Sequence, residues 1–217
     1  MDTPSILPLD EPLRIAEREV HMGEILRPIE TRRARRALSD RPIDRETADT
    51  LLRAAHLAPS CGNSQPWRLI AVDDRKTLAA VKDALTRGNY WAAPAPLIVA
   101  IASRVDLDCR TPDGREYFLF GCGLAAMNLM IQATEMGLIA HPIAGFRQRE
   151  VKPALGVPDE YTVIALIIVA YPSEDLASLS EVHREEETSA RVRRPLDDVV
   201  SWNRFDFDDS APQGGAD

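Results

Sequence analysis

Apolar positions recur along this chain with two different periods, and the changes of period mark out its elements. After Asp44, a candidate N-cap, Ala48, Leu51, Leu52 and Ala55 fall at i, i+3, i+4 and i+7, one face of a helix that runs into Pro59. Residues 69–72 then read as a strand. Asp73 and Asp74 cap a second helix with Leu78, Val81 and Leu85 on its buried face, closed by Gly88 and Asn89. Pro94 and Pro96 introduce a strand over 97–102. From Arg115 to Met136 the positions Phe118, Cys122, Ala125, Leu129 and Met136 recur at three- and four-residue steps, which predicts a long helix buried along one side. Gly137 ends it. A short extended piece follows over 138–143, then a short helix over 148–155. The apolar run 163–170 is rich in β-branched residues and predicts a buried central strand.

Outside these segments the pattern weakens. Residues 10–26 could form a charged helix, residues 104–114 read as a polar surface loop, and residues 173–190 are acidic without a clear period, a loop or excursion. The division expected is an N-terminal extension over 1–28, one domain over 29–205, and a disordered acidic tail over 206–217. Several connections are too short for a uniform parallel βαβ series. A mixed sheet with helices on both faces is expected.

Composition narrows the function classes. The chain has 217 residues, enough for one sizeable core, and a formal net charge of −8 that argues against an extended nucleic-acid surface. No apolar run is long enough to span a bilayer and no signal peptide opens the chain, so a cytoplasmic protein is expected. Cys61, Cys109 and Cys122 are an odd number without a CxxC pair, and free thiols in a reducing compartment are the expectation. The histidines show no metal-ligand spacing.

Three constellations bear on chemistry. Arg32, Arg33, Arg35 and Arg36 crowd five positions, and Arg191, Arg193 and Arg194 form a second basic cluster in an acidic chain. Guanidinium groups match phosphate oxygens with paired N–H donors, while solvated surface charge is the plainer alternative. If the first cluster is extended, Arg32, Ala34 and Arg36 point one way and Arg33 and Arg35 the other. Residues 58–67 hold two prolines, a glycine, Ser60, Asn63, Ser64 and Gln65. Such a loop either presents donors and acceptors to a planar heterocycle or satisfies its own backbone. Residues 121–126 fit G-x-G-x-x-A, yet they lie inside the long helix instead of following a strand, so close helix packing is the better reading than a dinucleotide fingerprint.

Taken together these segments resemble the nitroreductase family of dimeric FMN-dependent NAD(P)H oxidoreductases, which implies an α+β fold with a mixed, mostly antiparallel central sheet flanked by helices on both faces. Residues 32–38 are similar to its R-R-S-x-R-x-[FY] segment, 58–67 to A-P-S-x-x-N-x-Q-P-W, 142–146 to P-x-x-G-F, and 191–196 to a terminal [KR]-x-R-x-P-L, in the family's order. The resemblance implies that Arg32, Arg191 and Arg193 hold the FMN phosphate, with Arg33 and Ala34 in the same segment, and that Arg36 lies near the pyrimidine end of the flavin. Pro59, Ser60, Asn63 and Gln65 would line the flavin, some from a second subunit. The backbone at Ala144 and Gly145 would offer an N–H to flavin N5. Ala34 departs from the family serine and removes one hydroxyl. The activity implied is transfer of a hydride from NADH or NADPH to FMN and on to a small-molecule acceptor in a homodimer, with no catalytic side chain and no metal. A flavin-binding module without turnover is the alternative.

Overall fold

The computed structural model describes residues 23–207. The helix expected over 10–26 falls almost wholly outside them, as does all but the start of the acidic tail, and residues 24–26 are not helical.

A four-stranded sheet is the centre of the molecule. Strands β1 (Arg68–Val72), β2 (Leu97–Ser103), β3 (Ile139–Ile143) and β4 (Thr162–Ala170) lie in the order β1-β2-β4-β3. Every pairing is antiparallel, so the parallel component expected of a mixed sheet is absent among the described residues. The two strands with unbroken apolar sequence, β2 and β4, take the two interior positions, because only an interior strand can bury both of its faces.

Alternation along those strands feeds two cores. Leu97, Val99 and Ile101 of β2 and Ile167 and Val169 of β4 face one layer. There they meet α2 (Arg45–His56) and α4 (Phe118–Glu135) through Leu51, Ala55, Cys122, Ala125 and Leu129. Ile98 and Ala100 of β2 and Leu166 and Ile168 of β4 face the other layer, with Leu78 and Val81 of α3 (Arg75–Asp83) and Val151 of α5 (Gln148–Leu155). Each fully buried Leu or Ile of this kind contributes about 1.5–3 kcal/mol. Helix α2 starts where expected, with Asp44 accepting from Thr47 N at 2.7 Å. Asp74 caps α3 in the same way.

The chain departs from the expected pattern in three places. Helix α3 stops at Asp83, because residues 84–86 leave it to pair with 145–147: Thr86 N donates to Gly145 O and Arg147 N to Ala84 O. Leu85 therefore belongs to a β-bridge with Phe146 instead of the helix face. The acidic segment is not a loop throughout, since Glu181–Thr188 forms helix α6, capped by Ser180. Lastly, Gly121 of α4 approaches another part of the same chain: a Cβ there would lie 3.2 Å from Pro66. Among the described residues no helix is long and apolar enough to cross a membrane.

Candidate functional site

The two arginine clusters, far apart in sequence, meet at the end of α1 (Arg27–Thr31). That short helix leaves carbonyls without intrahelical partners, and Arg191 supplies donors to them, at 2.6 Å to Glu30 O and 3.2 Å to Arg32 O. Residues 37–39 add a second tie, with Ser173 N donating to Ala37 O and Ser39 N to Tyr171 O, which fixes the arginine segment to the end of β4. Arg32 thus sits among cations. Burial lowers its pKa first, and Arg191, Arg193 and Arg33 lower it further. The charges named as acting on Arg32 are those three guanidiniums, an arrangement whose repulsion an anion would relieve.

The rest of the segment turns toward α6. Arg35 Nε donates to Glu187 at 2.7 Å, Arg36 N donates to the same carboxylate at 2.7 Å, and the Arg36 guanidinium pairs with Glu186 at 2.6 Å. Arg33 reaches the carbonyl of Ser189 at 2.9 Å. The alternation expected of an extended segment is therefore lost at Arg35 and Arg36, whose side chains reach the same helix, one at Glu187 and the other at Glu186. Arg36 also lies over the Trp91 ring, 5.9 Å from its centroid. Ala34 is exposed and carries no hydroxyl to offer.

Past the end of β3, Gly145 O accepts from Thr86 N at 2.9 Å, Thr86 Oγ1 at 3.0 Å and Asn89 Nδ2 at 2.8 Å. A Cβ at 145 would fall 2.6 Å from Thr86 Oγ1 and run into Asn89 Nδ2, so a larger residue there would push aside the two side chains that donate to its carbonyl. The N–H groups of Ala144 and Gly145 have no acceptor among the described residues and remain able to donate.

The loop over 58–67 leaves α2 and crosses α4. Gly62, Asn63 and Gln65 all have left-handed backbone, at φ +54°, +57° and +49°. For a residue with a Cβ that conformation costs about 1–2 kcal/mol. Ser60 and Gln65 spend their side chains locally: Ser60 Oγ accepts from Gln65 N at 2.9 Å, and Gln65 Nε2 donates to Asn63 O at 2.9 Å. For these two the self-satisfied loop is the better description. Asn63 differs, being exposed with a side-chain amide that has no partner among the described residues. Pro59 is exposed beside it.

Cys61 corrects a sequence expectation. It is bonded to Cys109 across a separation of 48 residues, and only Cys122 is a free thiol. The reason is tertiary: residues 104–114 fold back onto the loop, an approach that spacing alone does not encode. Burial pushes the Cys122 thiol up to about 11, which leaves it protonated and inert at neutral pH.

The structure thus gathers Arg32, Arg33, Arg191 and Arg193 into one cluster. His141 of β3 feels Arg36 and Arg32, so the cluster stands beside the strand that leads to Ala144 and Gly145. The loop over 58–67 stands apart. Among the described residues no hydrogen bond or ion pair joins it to the arginines or to residues 144–145. Sequence reasoning missed Glu186 and Glu187; the signal available was an acidic run after Ser180 that mirrors the four-arginine run. Thr86 and Asn89 left no comparable signal.

An antiparallel sheet between two helical layers, with a cationic cluster at one strand end and free backbone donors at another, defines an α+β protein. The chain belongs to the nitroreductase family, whose model matches residues 29–89 and 78–171. It is 30% identical over 181 residues to a putative NADH dehydrogenase/NAD(P)H nitroreductase of Archaeoglobus fulgidus, covering 76% of this chain and 99% of the relative. It is 23% identical over 196 residues to the FMN reductase [NAD(P)H] of Bacillus subtilis, covering 83% and 78%. Among solved structures, that of an oxidoreductase containing FMN is similar at 28% identity and a TM-score of 0.75, over 87% of this chain and 96% of the other.

Proposed function

We propose that this protein is an NAD(P)H-dependent FMN oxidoreductase. The observation that carries the reading is the convergence on Arg32 of Arg33, Arg191 and Arg193. A phosphate monoester supplies what that cluster lacks. Arg32 and Arg193 would hold the phosphate, while Arg191, engaged on the α1 carbonyls, places residue 193 beside Arg32. The free N–H groups at Ala144 and Gly145 would face the ring, Arg36 its pyrimidine end, and Asn63, with Pro59, Ser60 and Gln65, its surface.

When bound, FMN supplies the redox chemistry: a hydride from NADH or NADPH is taken up at N5 and passed to an acceptor such as a nitroaromatic or quinone in ping-pong order. The chain's own residues orient the cofactor and balance its charge, and no side chain acts as acid or base. Because the loop over 58–67 and the arginine cluster are not joined within one chain, we read the complete site as formed between two copies, each giving one half. The cytoplasm is the location that fits this reading.

Purified protein should be yellow, and its bound flavin should bleach on anaerobic mixing with NADH or NADPH. Bound flavin that neither donor bleaches would mark a binding module instead of an enzyme. Arg193 is exposed, and among the described residues its guanidinium hydrogen-bonds only to the adjacent Val192 carbonyl, so Arg193→Ala should leave the fold alone. That substitution should weaken FMN binding by about 1.5–3 kcal/mol, the worth of a charge-assisted hydrogen bond. An unchanged dissociation constant in a fluorescence titration would overturn the phosphate assignment.

A further inference from the structure

The strained shape of the 58–67 loop depends on a neighbouring segment that is itself weakly anchored. Left-handed backbone at Asn63 and Gln65 persists only where surroundings enforce it. Two of the loop's ties lead to the same place. Ser64 Oγ donates to Asp108 Oδ1 at 2.5 Å, and Cys61 is bonded to Cys109. Yet residues 104–117 give no member to either apolar core, so the covalent bond is the principal restraint between the two segments.

Asp108 makes that bond chemically unusual. Its Oδ1 accepts from Ser64 and from Cys109 N at 2.8 Å, while its Oδ2 is buried without a hydrogen-bond partner. A carboxylate oxygen of Asp108 and the two sulfurs lie within 4.8 Å of one another. A disulfide has no proton to give, whereas a thiol does. Reduction would therefore place S–H donors beside the Asp108 carboxylate, one of whose oxygens has no partner among the described residues. Hydrogen bonds from the thiols to that carboxylate would stabilise the reduced form, and a couple whose reduced form is stabilised is the more readily reduced.

We propose that Cys61 and Cys109 are a reversible thiol–disulfide exchange site, opened by a dithiol reductant, whose state sets how firmly the 58–67 loop is held. Both cysteines are only half-buried, which leaves them within reach of an attacking thiolate. That thiolate bonds to one cysteine sulfur and expels the other, which takes up a proton. The reductant's second thiolate then displaces the first cysteine, which is protonated in turn. Two electrons and two protons enter the protein, and the reductant leaves as its own disulfide. The oxidised loop is clamped; the reduced loop keeps only its hydrogen bonds. The consequence for cofactor affinity rests on the proposed FMN site.

The test uses the full chain. Native protein is equilibrated in dithiothreitol buffers of increasing reducing strength, alkylated, and weighed by mass spectrometry. Two labels should appear together and disappear on reoxidation, with buried Cys122 unlabelled. Labels that appear only after unfolding would overturn the proposal. Hydrogen exchange over 58–66 should then quicken about tenfold in the reduced wild type and in Cys109→Ser, while β2 and β4 stay protected; equal exchange in both states of the wild type would also overturn it. FMN should bind about five- to tenfold more weakly to the reduced form. Equal FMN affinity at full reduction removes the coupling to the cofactor. A chain that binds no FMN in either state defeats the flavin reading, while labelling and exchange still decide the thiol site.

Discussion

His141 shows how a single side chain serves both the core and the arginine segment. Its ring stacks on Trp91 with centroids 4.4 Å apart, and its Nδ1–H donates to Arg35 O at 3.1 Å. Burial lowers its pKa from 6.5 to about 4, and the charges of Arg36 and Arg32 act in the same direction, against the Arg35 carbonyl and Glu187. The folded imidazole is thus neutral in a range where the unfolded one takes up a proton. Stability should be flat above about pH 6.5, fall as pH drops toward 4, and lose up to about 3 kcal/mol from this group by the lower limit. Urea unfolding of wild type and His141→Phe at several pH values checks it. The variant should lose this part of the slope while keeping the stack, and equal slopes would refute the assignment. The spacing of the histidines offered no ligand role, and His141 is a packed structural group. Cys61 and Cys109 went the other way, because a pairing across 48 positions depends on where a loop folds and not on any local pattern.

Elements with an apolar face were legible. Helices α2 and α4 and strands β2 and β4 bury most of the positions that their periods marked, with Leu52, Met136, Ile164 and Ala165 only partly covered. Helix α6 was not, since what seats it is charge. Glu187 has a side chain only 1% exposed, bonded to Arg35 Nε and Arg36 N, while Val182 on the same helix is exposed. A hydrophobic period cannot report a helix held in this way. Glu187→Ala leaves a backbone N–H and a guanidinium without their acceptor and should cost about 1.5–3 kcal/mol, since hydrogen bonds to a charged group are lost. Glu186→Ala removes a half-exposed pair and should cost under about 1 kcal/mol. Chemical denaturation measures both, and a Glu186 effect equal to that of Glu187 would contradict the account. Because α6 positions the arginine segment, the Glu187 variant should also bind FMN more weakly.

At the scale of the whole molecule, strand order was beyond the sequence, since periodicity names strands without saying which neighbours they take. The site was legible as motifs but not as a place: the arginines and residues 144–145 stand on one side of the chain's architecture and the 58–67 loop on another. What could join them is suggested by the segment after α6. Val192, Leu196, Trp202 and Phe205 are all largely exposed, Trp202 at 83% and Phe205 at 77%, a density of bare apolar surface that a lone domain rarely keeps. Phe120 and Leu119 on the outer face of α4 add to it. A second copy of the chain would cover this arm and bring its own loop to the first copy's arginines. Replacing Trp202 and Phe205 together with Glu should therefore shift sedimentation from dimer to monomer at micromolar concentration and lower FMN affinity in the same variant, although neither residue belongs to the proposed cofactor contacts. A wild-type monomer that still holds FMN would contradict the two-copy site. A variant that stays dimeric would clear the arm of any part in it.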